Sequence, residues 1–519
     1  MASHSPPPQT PAPVNTTPAS MGSATPATPP ATPISAAAGQ PPTSPALAAA
    51  GPLWRAAGLP AAALTFADLP GAGPVLPSSF DVATAAQASL GLAVLAAAEI
   101  GHLRGIGRQS ISVDRAHAAL ECTTWFALDG VTPPMWDPLS GLYPCGGPGG
   151  PAGWVRIHAN FAHHRDGALR LLGLAPGPAT PRNAVAQALA TWTAEGFEQA
   201  AADAGLVVAA TRSFAQWDAH PQALALGRRP PLSITAIETG SAPAPAQAWP
   251  RITPAQSPLS GLRVLDLTRI LAGPVAGQCL AAYGAEVMLV NGPHLPNIDA
   301  IAATSRGKLS AQIDLRQASG QAQLLALLGS AQVFMQGYRP GALAARGLDP
   351  RRLAQWRPGI VVGSLSAYGG VGPWAERRGF DSLVQTATGF NLAEAEAAGS
   401  TDPKALPMQI LDYSAGHLLA FGIQAALWRQ ATQGGSWLVQ VSLVDVGHWL
   451  RSLGRLPDGL AAIAPSKQPY LADSPCGFGA EGHATLRAMR HAARFSRTPT
   501  ATLRPSMPPG SHQPVWPGT

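Results

Sequence analysis

The sequence predicts an α/β protein: a Rossmann-like parallel sheet with helices on both faces, plus a small α+β domain and a disordered N-terminal tail. Three observations predict it. From Leu259 onward, short apolar runs alternate with helical segments, and the runs are near-continuous rather than alternating, as in strands covered on both faces. Between 135 and 235 the pattern differs, with a Gly/Pro-rich stretch, one strand-like run and two short helical segments. Residues 1–50 are almost entirely Pro, Ala, Ser, Thr and Gly, without helical or strand periodicity. With 519 residues, 46% of them hydrophobic, the chain is long enough to build several buried cores.

Each element follows in order. After the tail, Asp81–His102 is Ala/Leu-rich at helical spacing, and the Gly105–Gly107 turn leads into an alternating strand at Gln109–Asp114. Residues 75–125 therefore form a helix-strand unit. Gly153–Ala159 reads as a strand and Arg182–Ala194 and Glu195–Ala204 as helices, which makes 135–235 the small α+β domain. Residues 236–257, with SAPAPAQAWP, form a linker. The large domain, 258–455, has strands at Leu262–Thr268, Ala285–Val290, Ala331–Tyr338, Ile360–Gly369 and Trp437–Val444 and a helix at Asp412–Gln430. Residues 456–519 read as an irregular extension. The order helix, glycine turn, strand occurs at 81–114 and again at 412–445, which suggests a partial internal duplication.

Composition excludes several classes of function. Lys+Arg totals 34 and Asp+Glu 28, so the net charge of +6 comes from few charges, and the densest basic groups are mere pairs such as Arg228-Arg229 and Arg377-Arg378. No nucleic-acid partner is expected, because clustered cations with interleaved aromatics are missing. The longest apolar stretch, Leu90–Ala98, is short of the ~20 residues a bilayer span requires, so no membrane partner is expected and a cytoplasmic location is. The four cysteines are far apart and form neither a disulfide framework nor a zinc motif. His158, His163 and His164 lie in one tract, but no carboxylate or cysteine joins them at a metal-ligand spacing, so no metal is expected.

Four segments could carry chemistry. The turn Thr268–Pro274 joins a buried strand to a helix start, where free backbone N–H groups suit a phosphate. Ser305–Lys308 and Gly337–Gly341 put cations outside the ends of parallel strands, where open α/β sheets bind ligands. The glycine-rich run Ser366–Trp374 permits close backbone approach but is not a dinucleotide fingerprint. Asp412 opens a helix; the ordinary role there is an N-cap, and a nucleophilic carboxylate is the alternative.

Taken in order, LSGLRVLDLTRILAGPVAGQCLAAYGAEVMLV, SRGKLSAQIDL, VFMQGYRPGALAARGL, SLSAYGGVGPWAERRGFDSLVQTATG and the helix opening at Asp412 resemble the family III CoA-transferases over about Leu259–Asp445. Residues 140–225 are similar to that family's small domain and 75–125 to its helix-strand unit, so the chain looks rearranged and partly duplicated. The resemblance implies an enzyme that moves CoA from an acyl-CoA to a free carboxylic acid through aspartyl-anhydride and aspartyl-CoA intermediates. It implies no permanently bound cofactor, CoA and acyl-CoA acting as substrates, and a homodimer. By position Asp412 matches the catalytic aspartate, and Leu271, Ala272, Lys308, Tyr338, Arg339, Ser366, Tyr368 and Gly369 fall in the CoA-contacting segments. An α-methylacyl-CoA racemase shares the pattern, but its proton-moving His would fall at Phe380, which relays no proton. A non-catalytic CoA-binding subunit is the remaining alternative.

Overall fold

The five apolar runs of the large domain form parallel strands, as their two-sided hydrophobicity requires. In the computed structural model, which describes residues 44–147, 153–501 and 503–518, they are Arg263–Leu267, Glu286–Asn291, Val333–Gln336, Val361–Ser366 and Trp437–Ser442. Lys308–Gln312 joins at one edge, next to Glu286–Asn291, and Leu232–Ala236 at the other, so that the sheet has seven strands. All neighbours pair in parallel except Leu232–Ala236, which runs antiparallel to Trp437–Val441. That edge strand lies where the sequence places the end of the small domain. It belongs to the large sheet because a two-residue alternation says nothing about which partner a strand finds.

Helix Ile410–Gln433 crosses the sheet, and helix Val82–Leu103 packs beside it. Both begin at the same end: Ser89 Oγ meets His417 Nδ1 at 3.3 Å and Gln424 Nε2 donates to Ala93 O at 3.1 Å, so the two run parallel. The N-caps Asp81 and Asp114 are 33 residues apart, as are the N-caps Gln409 and Ser442, so the two helix-strand units share a register as well as an order, with Thr84 in the place of Asp412. Helix Val82–Leu103 is long and apolar enough for a bilayer span, yet 20 of its 22 residues are buried in the protein core.

The small α+β unit matches expectation in kind. Its antiparallel strands Gly141–Cys145, Gly153–Ile157 and Val208–Ala210 carry helices Ala162–Leu171, Arg182–Leu189 and Ala194–Asp203. Tyr143, Val155, Leu189 and Phe197 fill a core of its own.

Two expectations are corrected at the ends of the chain. The expected tail of 1–50 falls mostly outside the described residues, but Pro45–Ala56 is a helix, N-capped by Ser44, with Trp54 stacked on Phe421 at 5.9 Å. Its Pro/Ala composition continues that of the tail, and only the packing of Leu53 and Trp54 distinguishes it. The extension 456–519 is not irregular throughout. Leu471–Cys476 pairs with Ala484–Met489, which pairs in turn with Phe126–Leu128, and Ala493–Phe495 pairs with Ile111–Val113. Apart from the local hairpin Leu471–Cys476 with Ala484–Met489, the partners lie hundreds of residues away in sequence, and the strands carry Pro and charged residues that break a local pattern.

Candidate functional site

The turn Thr268–Pro274 is built from below by a buried ion pair. Lys308 is fully buried, with Nζ 3.0 Å from Asp266 Oδ2 and 2.8 Å from Pro274 O. The other carboxylate oxygen, Asp266 Oδ1, accepts from Thr268 N at 2.9 Å and Thr268 Oγ1 at 2.6 Å. A side chain at Gly277 would place Cβ 2.4 Å from Asp266 Oδ2, so glycine is what lets the following helix sit on this pair. Ile270 takes φ +76°, a costly conformation for a β-branched residue, and strain of this kind concentrates at functional sites. Lys308 thus braces the turn and does not reach a ligand. Leu271 and Ala272 are buried at the start of helix Ala272–Ala282, and Gly416 admits the Asp412 helix so closely that its Cβ would meet Ala272 O at 2.5 Å.

Beyond the C-terminal ends of the parallel strands lies a pocket of about 350 Å3. Of the residues expected to touch CoA, it brings together Tyr338, Arg339 and Ser366. Tyr368 is buried edge-on against Trp374, with its carbonyl held by Gln222 Nε2 at 2.8 Å, and neither it nor Gly369 lines the pocket. In place of Lys308 the cations are Arg269, Arg339, Arg377 and Arg378, and His163 and His164 come from the small unit. Sequence reading passed over most of these. The Arg377-Arg378 pair directly after a glycine-rich run was the available signal for two of them.

Asp412 lies in the first turn of its helix, but Gln409 is the N-cap, so the aspartate is not spent on capping. Its side chain is half-buried, and among the described residues its carboxylate accepts no hydrogen bond. The backbone N–H of Asp412 donates instead to Asp381 Oδ2 at 2.9 Å. Asp381 is fully buried and also accepts from Gln385 Nε2. Burial pushes Asp381 up to about 7, against the lowering effect of these hydrogen bonds and of Arg156. Asp412 is raised well above the ordinary carboxylate range, first by burial and then by the Asp381 charge. Nothing in the local pattern GFD distinguishes Asp381 from an ordinary helix-start carboxylate. Phe380 beside it lines the pocket and stacks on His158 with ring centroids 4.0 Å apart.

The first helix begins differently, with Thr84 three residues past its N-cap where Asp412 stands three past Gln409. Asp81 N-caps Val82–Leu103, accepting from Thr84 N at 3.0 Å and Thr84 Oγ1 at 2.6 Å, and Arg115 Nη2 grips it at 2.6 Å.

Residues 259–454 match the model of CoA-transferase family III. Over 217 residues the chain is 36% identical to a protein of Mycobacterium tuberculosis named as a probable fatty acyl-CoA transferase, covering 39% of this chain and 54% of the relative. Over 241 residues it is 32% identical to a succinate–glutarate CoA-transferase of Agrobacterium fabrum, covering 41% and 60%. Over 381 residues it is 30% identical to an acyl-CoA transferase of Gibberella moniliformis, covering 66% of each. The chain therefore spans 54 to 66% of the length of these relatives. It is the segment 259–454, which holds the strained turn, the ends of the parallel strands and Asp412, that matches CoA-transferase family III.

Proposed function

We propose that the chain transfers CoA from an acyl-CoA to a free carboxylic acid, with Asp412 as the nucleophile. The observation that carries the reading is the half-buried Asp412 carboxylate, which accepts no hydrogen bond among the described residues and whose backbone N–H holds the buried carboxyl of Asp381, the residue next to the pocket-lining Phe380. The relatives named for fatty acyl-CoA and for succinate and glutarate support the substrate class, an acyl-CoA and an organic acid.

In this reading a carboxylate oxygen of Asp412 attacks the thioester carbonyl, the C–S bond breaks and CoA leaves as thiolate, giving an aspartyl-acyl anhydride. The thiolate then attacks the aspartyl carbonyl and releases the donor acid, leaving an aspartyl-CoA thioester. An incoming carboxylate repeats the two steps in reverse and leaves as the new acyl-CoA, restoring Asp412. One thioester and one carboxylate enter, and one of each leaves. Phe380, at the position a racemase would need for proton transfer, offers no group for that chemistry.

Peptide mass spectrometry after incubation with a panel of acyl-CoAs, with and without hydroxylamine, tests this. A CoA or hydroxamate adduct on Asp412 is expected, and Asp412→Asn is expected to keep CoA affinity while losing transfer. Full transfer activity in Asp412→Asn would refute the assignment.

A further inference from the structure

The small unit supplies one wall of the cationic pocket, and that wall contains an unexplained pair of polar atoms. His164 is 5% exposed, and among the described residues neither of its ring nitrogens has a hydrogen-bond partner. Buried polar atoms without partners cost about 1–3 kcal/mol each, which is why native proteins keep few of them. His164 lines the pocket with His163, ring centroids 4.1 Å apart, and Phe161 stands edge-on to it. Burial, His163 and Arg378 together hold His164 down to about 3, so the ring is neutral and offers one N–H donor and one acceptor.

The same segment is a helix start. Ala162–Leu171 begins at Phe161, which gives no side-chain cap, so its first turn presents unsatisfied backbone N–H groups and the positive end of the helix dipole. Lining the same pocket are Arg378, which is exposed and donates from Nη1 to Gly205 O of the small unit at 3.1 Å, and Arg269 and Arg339 from the strand ends. Donors of three kinds, backbone, imidazole and guanidinium, thus converge on one pocket with no carboxylate lining it. The excess of guanidinium groups calls for more than the single charge of a carboxylate, and a phosphate monoester carries about −1.5 to −2 at neutral pH.

We propose that a phosphate group binds at this wall, held by His164, the start of helix Ala162–Leu171 and Arg378. The phosphate would be one of those of CoA, which rests on the function proposed above; the site itself does not depend on that reading. The small unit then contributes directly to ligand binding, and His164 is a binding residue with no part in bond making.

Equilibrium binding of CoA, inorganic pyrophosphate and pantetheine, which has no phosphate, to the full chain tests the proposal. His164→Leu keeps the volume and removes the donor. It is expected to weaken CoA and pyrophosphate about tenfold and to leave pantetheine unchanged. His164→Gln, which restores an N–H donor, is expected to stay within about threefold of the unmodified chain, a rescue that mere packing would not give. Arg378→Gln, at an exposed position where folding is not at issue, is expected to weaken the same two ligands. Pyrophosphate binding that is lost in His164→Leu, in a chain that binds no CoA, would keep this site and sink the CoA reading. Unchanged CoA and pyrophosphate affinity in His164→Leu, an equal loss for pantetheine, or no pyrophosphate binding by the unmodified chain would overturn the site.

Discussion

Two aspartates open equivalent helices, and their neighbours decide what each can do. Asp81 is fixed as an N-cap and paired with Arg115, so its charge is consumed by structure. Asp412 is left with its like-charged neighbour Asp381 and no cation of its own. Sequence pattern alone does not show this difference, because the partner that disarms Asp81 comes from a helix start 34 residues on and the one that tunes Asp412 from 31 residues before it. The pair sets a pH dependence. In the proposed reaction attack requires the ionised carboxylate; burial pushes Asp381 up to about 7, and burial with the Asp381 charge raises Asp412, so lowering the pH protonates the proposed nucleophile. The rate of CoA adduct formation at Asp412 is expected to rise with pH from the acid side, with a midpoint above the ordinary carboxylate range. Asp381→Asn removes the like charge, so the midpoint of that profile moves to lower pH. A profile flat from pH 5 to 8 in the unmodified chain would contradict this account of the pair.

At the scale of elements, the parallel strands were legible because each is a short apolar run between glycine-rich turns, and the observed bounds fall within a few residues of those runs. Helix Pro45–Ala56 and the strands after Leu471 were not legible, because distant partners and not local pattern stabilise them. The extension is secured by Glu121, whose Oε1 lies 3.0 Å from His491 Nδ1 and whose Oε2 accepts from Ala492 N at 2.9 Å. His491 Nε2 meets Tyr283 OH at 3.2 Å, so the pair also ties helix Ala272–Ala282 to the extension. The His491 charge is the main force lowering Glu121, which falls to about 2 in spite of burial, and Glu121 raises His491 to about 10. The raised His491 contributes stability that is complete below its unfolded value near 6.5 and fades as pH climbs through about 10. The lowered Glu121 contributes stability present above its unfolded value near 4.3 and lost as pH falls through about 2. Both contributions are complete only between about pH 4.5 and 6.5. Thermal melts of Glu121→Gln against the unmodified chain are therefore expected to differ most in that window, by about 3 kcal/mol or more, and to converge toward pH 10. An equal deficit at pH 5 and pH 10 would show that the pair acts through packing alone.

At the scale of the molecule, the segment that matches the family is not a separable body. One hydrophobic cluster runs from Ala46 through helix Val82–Leu103, the turn at Leu271, the Asp412 helix and Ala493, so residues from both ends of the described chain complete the core under the site. The sequence showed the echo between 81–114 and 412–445 but not that the two helices pack against each other, since an apolar Ala/Leu pattern fixes which face is buried and not what covers it. Val82, Leu90, Leu92, Val94, Leu95 and Ile100 are each at most 2% exposed. At about 1.5–3 kcal/mol per buried aliphatic side chain, and with allowance for a compact unfolded state, these six are worth on the order of 10 kcal/mol, comparable to the ~5–15 kcal/mol net stability of a whole domain. Removing helix Val82–Leu103 therefore removes as much as folding has to spare. Residues 258–455 expressed alone are expected to show no cooperative thermal transition and to bind a dye for exposed apolar surface, and co-expression with residues 44–257 and 456–519 is expected to restore both the transition and any CoA binding. If 258–455 alone melts cooperatively with the midpoint of the full chain, the first helix is an accessory to the fold, and the duplication has left two independently stable halves instead of one shared core.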